Sequence, residues 1–438
     1  VSAPPPGEPV VGNDWATPLP RLRERAPSPV SVVVLHYEQH EQLARTLHAL
    51  ERQTHPRELI EVVVVDDGSR EAPQVPDGVR LVRRADVGFT ASAARNEGAA
   101  ATSHPTLLFL DADTTPEPGY VAELALLPAH LPEVVAVGRR RHADLAGTPV
   151  DAPVEMLGPP RELAEPQWLA QGFTWTRDLL EARSDSYRYV ISAVLACSRW
   201  LFDEVGGFDE SFDSYGGEDW EWAWRAWQHG AALAHRPGAV AWHDGPERAA
   251  RDAADVRLRE TQTRETLRLA GRVADPTVAF SGLALSPPEL LVTLDPDLGA
   301  AEALIGVDSV LAAVPTARVS ADPDDPVQRL LVGDPRVAVA APLAGHALRL
   351  HLRAGVRAAP EAWQGLLALA RADGHPHTVT VVDDAGELLA LEALRAHRRM
   401  TRWGRDDLFE AAVVRADDLG LRRVPPDADL AAHLGGWL

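Results

Sequence analysis

Two pairs of carboxylates carry the most chemistry in this sequence. Asp111 and Asp113 stand two apart in Asp111-Ala112-Asp113, directly after the apolar run 106–110. At a strand end, side chains two residues apart project toward the same side. Carboxylates held that close repel each other unless something positive lies near them. A hard divalent cation, Mg2+ or Mn2+, answers that need and bridges to phosphate oxygens. The plainer reading is an acidic turn, with Asp113 capping the next segment through Thr114 and Thr115. The second pair, Glu218-Asp219, comes after Gly216-Gly217 and closes a block that begins Gly206-Gly207-Phe208-Asp209-Glu210. Paired glycines permit positive φ or close backbone approach. An acidic pair then opens a helix, whose dipole favours carboxylates there. A carboxylate beside an acceptor hydroxyl acts as general base in an inverting displacement. Helix capping alone is the alternative.

Other residues gain meaning from these two pairs. In Asp66-Asp67-Gly68-Ser69 one carboxylate can accept from a base N–H or a ribose hydroxyl, or the segment is a plain Asp-Gly turn. Arg95, in Ala94-Arg95-Asn96, has the fork that pairs with two diphosphate oxygens at once. It also reads as a surface Arg near a helix terminus. His243, in Ala241-Trp242-His243-Asp244-Gly245, is by itself a packed or surface histidine, and becomes a ligand candidate only in company. Trp220, Trp224 and Trp227 share one helix face, which suits core packing, with one Trp at a site mouth as the alternative.

The elements that must position these residues have an α/β pattern. Residues 30–35 are a short apolar run suited to a strand buried on both faces. Leu43, Leu47 and Leu50 repeat at helical spacing, and 60–65 is a second buried strand that stops at Asp66. Strand, helix, strand implies a parallel pair with a right-handed crossover. Residues 81–83 and 106–110 read as further strands, and 90–101 as a small-residue helix. The acidic groups therefore gather at carboxyl ends of strands, where open α/β sheets bind ligands. The pattern from 121 to 188 is weaker.

These residues, in this order, resemble the inverting family 2 glycosyltransferases of GT-A fold. The stretch 30–53 with Val65-Asp66-Asp67-Gly68-Ser69, Ala94-Arg95-Asn96 and Leu110-Asp111-Ala112-Asp113 is similar to the family's nucleotide-binding half. Gly206-Gly207-Phe208-Asp209 with Gly216-Gly217-Glu218-Asp219 resembles the galactosyltransferase-type carboxyl half. The resemblance spans about residues 30–245. It implies a GT-A catalytic domain, Rossmann-like with a mostly parallel sheet, acting on a nucleotide-sugar donor, with UDP the usual nucleotide, by metal-assisted single displacement. It places Asp67 at the nucleotide base with Asp66 nearby, Arg95 at the nucleotide or diphosphate, and Asp111 between ribose and metal. Asp113 and His243 would ligate Mn2+ or Mg2+, Glu218 would orient the acceptor, and Asp219 would be the general base. Two departures stand out. Leu35-His36-Tyr37-Glu38 replaces the family's Pro-Thr-Tyr-Asn, and Tyr215 stands where many relatives carry Trp. No Gln-x-x-Arg-Trp occurs, which disfavours a processive membrane synthase.

Composition narrows the remaining classes. The chain has 438 residues and a formal charge of −21, and every one of its 43 basic Lys/Arg positions is Arg. That balance argues against nucleic acid or anionic lipid as partner, and Arg139-Arg140-Arg141 reads as a short solvated run. Cys197 is the only cysteine, so no intrachain disulfide forms and a reducing, cytoplasmic setting is expected. No apolar stretch reaches membrane-spanning length. The expected layout is a Pro-rich arm over 1–29, the catalytic domain over 30–245, a helical linker over 246–272, and a smaller α/β or α+β domain over 273–438. That last domain holds no catalytic constellation and is a candidate for acceptor binding, partner docking or a homo-oligomer contact. Its Val381-Val382-Asp383-Asp384 echoes Val65-Asp66-Asp67, too little for a repeat. The acceptor, whether glycan, peptide or small molecule, is not legible. Two competing functions are a nucleotidyltransferase, which would want a Gly-rich phosphate loop, and a non-catalytic sugar-nucleotide or glycan-binding scaffold, which would have no need of Asp219.

Overall fold

The computed structural model describes residues 5–213, 216–246, 256–275, 278, 283, 285–343, 345–371 and 377–435. Tyr215 and residues 247–255 of the expected linker lie outside the described residues. The chain divides into two compact units, 2–269 and 270–438.

In the first unit, nine strands form one sheet. They are β1 (Val30–His36), β2 (Ile60–Asp66), β3 (Arg80–Arg83), β4 (Thr106–Asp111), β5 (Thr114–Pro116), β6 (Val134–Ala143), β7 (Glu162–Leu163), β8 (Val194–Ser198) and β9 (Ala232–Asp244). Their order is β3-β2-β1-β4-β8-β6-β9-β5, with β7 added beside β6. The β3-β2-β1-β4 block is parallel, as the strand-helix-strand pattern predicts. Antiparallel β8 then joins β4 to β6, and β6 runs parallel to β9. Parallel strands need cover on both faces. Val32, Val33 and Val34 of β1 are accordingly buried, as are Leu43, Leu47 and Leu50 of the helix His40–Glu51. Each such side chain contributes about 1.5–3 kcal/mol by burial.

Register places the chemistry. His36 pairs with Asp66 and Leu35 with Asp111, so neighbouring strands β2, β1 and β4 end level with one another. The ladder continues one step further through Asp67 N–H to the His36 carbonyl (2.9 Å) and Ala112 N–H to the Leu35 carbonyl (2.8 Å). The chain then turns back as β5, which pairs antiparallel with the end of β9 and sets Thr114 opposite His243.

Three parts of the first unit differ from expectation. The amino-terminal arm is packed rather than extended: Val10, Trp15 and Leu22 are buried against Leu127, Leu131, Val134 and Ala234. Its apolar residues at 10, 15 and 22 outweigh the prolines around them. Arg139-Arg140-Arg141 is part of β6 and not a solvated run, because Arg139 pairs with Glu165 and Arg141 with Glu162. Trp224 and Trp227 are core as expected of their shared face, but so is Trp222, which lies off that face. Of the tryptophans in the helix Glu218–His229, only Trp220 is half-buried.

A left-handed turn at Arg177, Asp178 and Leu179, with φ of 48°, 59° and 66°, has no counterpart in the sequence pattern. Left-handed backbone costs about 1–2 kcal/mol at each non-Gly residue. The turn is pinned from several directions. Asn13 Nδ2 donates to the carbonyls of both Leu179 and Leu233, and His235 N–H donates to the Asp178 carbonyl (2.9 Å).

The second unit is a mixed sheet of β10 (Leu290–Leu294), β11 (Arg318–Ala321), β12 (Val337–Val339), β13 (Leu348–Leu352), β15 (Thr378–Asp383), β16 (Gly386–Ala393) and β17 (Ala411–Arg415), with β14 (Val356–Arg357) and β18 (Arg422–Arg423) as a separate pair. Helices Ala300–Ala313 and Pro360–Arg371 supply Val307, Val310, Trp363 and Leu366 to its core. Asp383 ends β15 in a hairpin and is held by Arg423, so its resemblance to Asp66 is one of turn composition.

Candidate active site

A cavity of about 410 Å³ opens at the carboxyl ends of β1 and β4. It collects Asp67, Arg95, Asp111, Asp113, Glu218, Asp219 and His243 from separate stretches of sequence. A larger hollow of about 640 Å³ in the same unit contains none of them. Chemistry rather than size therefore selects the smaller one.

Asp66 alone among the anticipated residues does not line the cavity. It is fully buried and accepts from His36 Nδ1 (3.0 Å), Ser69 N–H (3.2 Å) and Arg83 Nε (2.9 Å). Burial works against its charged form, yet the bonds from Ser69, His36 and Arg83 prevail and hold it below the usual carboxylate range. His36 in turn is pushed down by burial, and its Nε2 accepts from Gln39 N–H (3.2 Å), which fixes a neutral ring with the proton on Nδ1. Asp67 is held nearly as firmly. It accepts from Arg84 Nη1 (2.6 Å), Thr90 Oγ1 (2.6 Å) and Thr90 N–H (3.1 Å).

Arg95 is buried at the centre of the site. Its Nη2 donates to Asp111 (2.8 Å) and its Nη1 to Glu218 (3.1 Å), so one guanidinium joins the two halves of the unit. Burial alone would lower its pKa, but Asp111 and Glu218 more than compensate and keep it charged. The next residue continues the junction. Asn96 Nδ2 donates to the Phe208 carbonyl (2.9 Å) and its Oδ1 accepts from Phe208 N–H (2.9 Å). This clamp explains Gly207, where φ is 69° and a Cβ would lie 2.7 Å from Asn96 Oδ1.

Gly217, at φ 90°, turns the chain into the helix Glu218–His229. Glu218 gives one oxygen to Arg95, while its Oε2 is buried without a hydrogen-bond partner. Asp219 accepts from Trp220 N–H (2.9 Å) and, at longer range, from Ser192 N–H (3.4 Å). Burial and the adjacent Glu218 push its carboxyl up to about 7, against the pull of Arg95. A carboxyl tuned to neutrality beside a cavity is suited to taking a proton.

On the opposite wall, Asp113 Oδ2 lies 3.6 Å from His243 Nε2. His243 Nδ1 donates to the Gly245 carbonyl (3.1 Å), which leaves Nε2 as a lone-pair donor turned to the carboxylate. Burial and neighbouring Asp111 push Asp113 up, and His243 and Gln39 only partly offset them. An oxygen and a nitrogen donor at this spacing, short of positive charge, fit a divalent cation. Among the described residues no closed cluster of three such ligands forms, and Asp111 turns one oxygen to Arg95 instead.

Residues the sequence did not single out complete the cavity. Gln39 Nε2 donates to Asp113 (2.7 Å), Ser192 supplies its N–H, and Arg140 projects from β6. Tyr37 and Phe89 line the mouth at 49% and 38% exposure. Gln39 and Tyr37 sit in or beside the altered segment after β1, which was the available signal. Arg140 was hidden inside an arginine run.

A sheet whose acidic strand ends face a carboxylate-bearing helix across one cavity is a GT-A fold. Residues 31–184 match glycosyl transferase family 2, and residues 176–241 match the pattern described as the N-terminal domain of galactosyltransferase. The family 2 glycosyltransferase match thus lies wholly within the first unit. The chain is similar to validoxylamine A glucosyltransferase of Streptomyces hygroscopicus subsp. limoneus, 32% identical over 242 residues, covering 50% of this chain and 52% of that protein. It is also similar to chondroitin synthase of Escherichia coli, 29% identical over 241 residues, covering 50% of this chain and 35% of that protein. Among solved structures, a mannosyltransferase from Pyrobaculum calidifontis in complex with GDP-Man and Mn2+ aligns at 18% identity and TM-score 0.39, over 62% of this chain and 70% of that one. The chain spans about half the length of the first curated relatives it matches. Among the described residues no helix is long and apolar enough to cross a membrane.

Proposed function

We propose that the protein moves a sugar from a nucleoside-diphosphate sugar, with UDP the favoured nucleotide, to a hydroxyl of its acceptor with inversion. The observation that carries this reading is the placement of Asp219, held by the backbone N–H groups of Trp220 and Ser192, in the cavity that also holds Asp113 and His243. Asp219 takes the acceptor's proton as its oxygen forms a bond to the anomeric carbon. The bond from that carbon to the diphosphate breaks, and the nucleoside diphosphate leaves with the electron pair. Glu218 orients the acceptor through the oxygen that Arg95 does not hold. Arg95 donates toward the diphosphate from a position fixed by Asp111 and Glu218. Asp67 accepts from the nucleotide, and the exposed faces of Tyr37 and Phe89 suit a base ring. Asp113 and His243, with Asp111 at their side, would hold Mn2+ or Mg2+. When bound, the cation neutralises charge on the diphosphate oxygens. Asp66 supports this site from beneath through His36 and Ser69 and does not meet the nucleotide directly.

The test is metal-dependent release of nucleoside diphosphate from a panel of nucleotide sugars. Excess chelator is expected to abolish release and Mn2+ to restore it. Full activity in chelator would remove the metal from the account, and release of pyrophosphate from a nucleoside triphosphate supplied with a sugar 1-phosphate would favour nucleotidyl transfer.

A further inference from the structure

The hollow of about 640 Å³ in the glycosyltransferase unit has no role in the chemistry above, yet its walls are closely determined. Its floor is Leu169, Ala170 and Phe173 of the helix Gln167–Trp175, and Arg139, Glu165 and Asp178 stand around it. We infer that this hollow is an acceptor subsite, and that it takes the neutral polyhydroxylated ring of a sugar. The inference rests on the transfer reading of the neighbouring cavity.

Four observations support it. First, Arg140 lines both cavities. The helix that floors the hollow also reaches the base's neighbour, because Trp168 packs edge-on against Trp220 at 6.1 Å. Second, the left-handed turn 177–179 forms one wall. Strained backbone of this kind persists where the surroundings over-determine it, and it clusters at ligand sites. Here it aims Asp178 at His235, whose Nδ1 donates to the Asp178 carboxylate (2.7 Å) while the ring stacks on Phe173 at 3.6 Å. Third, His235 is 4% exposed and its Nε2 has no hydrogen-bond partner. With the proton on Nδ1, that nitrogen is a buried acceptor, in a residue that lines the hollow, which no donor among the described residues satisfies. Fourth, the polar groups are mixed in sign. Arg139 donates to Glu165 through two nitrogens (3.1 and 2.7 Å), and Arg177 is paired with Glu181. Carboxylates at 165 and 178 disfavour an anion, and the arginines disfavour a cation. Donors and acceptors in balance over a small apolar floor suit hydroxyl groups on a ring, and the volume lies in the usual range for small-molecule sites.

The test uses the full chain with maltose, cellobiose, lactose and chitobiose as probes. Saturation-transfer NMR is expected to detect at least one of them, and deuterium exchange on the wild-type protein should slow in 165–180 and 233–237 when it is present. Leu169→Trp fills the floor, and His235→Phe keeps the stack on Phe173 while removing both nitrogens. Each is expected to weaken the bound sugar about ten-fold or more. No signal from any probe, protection confined to other peptides, or wild-type affinity in both variants would overturn the inference. Because the exchange arm needs no variant, a misfolded mutant does not spoil the test. Nucleotide-sugar hydrolysis by the wild-type protein separates the two claims. Hydrolysis without sugar binding defeats only this inference, whereas sugar binding without hydrolysis defeats the transfer reading and with it the acceptor role, leaving a sugar site alone.

Discussion

Asp66-Asp67 and Glu218-Asp219 are both adjacent acidic pairs in one unit, and the structure treats them in opposite ways. The first pair is well supplied with donors: His36, Ser69, Arg83, Arg84 and Thr90 all donate to it. The second pair is short of donors: among the described residues one oxygen of Glu218 is unpartnered and Asp219 is bonded only through two backbone N–H groups. Asp66 is held below the usual carboxylate range and Asp219 is raised to about 7. A carboxylate that is satisfied by the fold stabilises it. One left wanting a proton is available for chemistry, at some cost in stability.

The contrast can be broken most sharply at Asp219. Asp219→Asn should retain nucleotide binding and lose transfer by about 10²–10⁴-fold, the usual contribution of a general base. Turnover like that of the wild type, measured by nucleoside-diphosphate release, would remove Asp219 from the mechanism. Asp66→Asn should instead act on folding, lowering stability by about 2 kcal/mol through weakened bonds to a buried charge. Chemical denaturation would register this as a lower midpoint, and an unchanged midpoint would contradict the supporting role.

The two carboxylates should also respond to pH with opposite sign. Asp66 is depressed in the folded state, so its contribution is present above the ordinary Asp value and is lost as pH falls through the folded one. The stability gap between wild type and Asp66→Asn should therefore shrink in acid. Asp219 is raised, so the protonated form is favoured on folding and the penalty grows as pH climbs from the ordinary value of 3.8 to about 7. Asp219→Asn should melt several degrees above wild type at pH 8 and close to it at pH 4, at about 2–4 °C per kcal/mol for a unit of this size. A gap that does not change with pH would refute the assigned environment. The smallest effect is expected at the junction between the halves. Gly207→Ala should cost about 1 kcal/mol for positive φ, with further loss as Asn96 shifts; thermal denaturation of the variant checks this, and an unchanged midpoint would contradict the clamp.

Much of this was legible in sequence because strand ends announce themselves. The apolar runs before Asp66 and Asp111 marked two parallel strands, and the register then brought both carboxylates level. Sequence could not separate Asp66 from Asp67. They are neighbours, and only the partners of Asp66, buried His36 and the more exposed Arg83, show which one serves the fold. The middle of the unit was opaque for a different reason. β6 contains Arg139-Arg140-Arg141, whose charges are masked by Glu162 and Glu165 across the strand and by Trp242 beneath Arg141. Such cross-strand compensation leaves no periodic signal in a single chain. The left-handed turn at 177–179 is silent in the same way, since it has no glycine and depends on Asn13, far away in sequence.

The most direct test is to incubate the full chain with Mn2+ and a panel of nucleotide sugars, and to measure nucleoside diphosphate for wild type and Asp219→Asn in parallel. The account predicts release by the wild type that is lost in the variant, with nucleotide binding intact in both. No release by the wild type from any donor, or equal release by the two proteins, would contradict it.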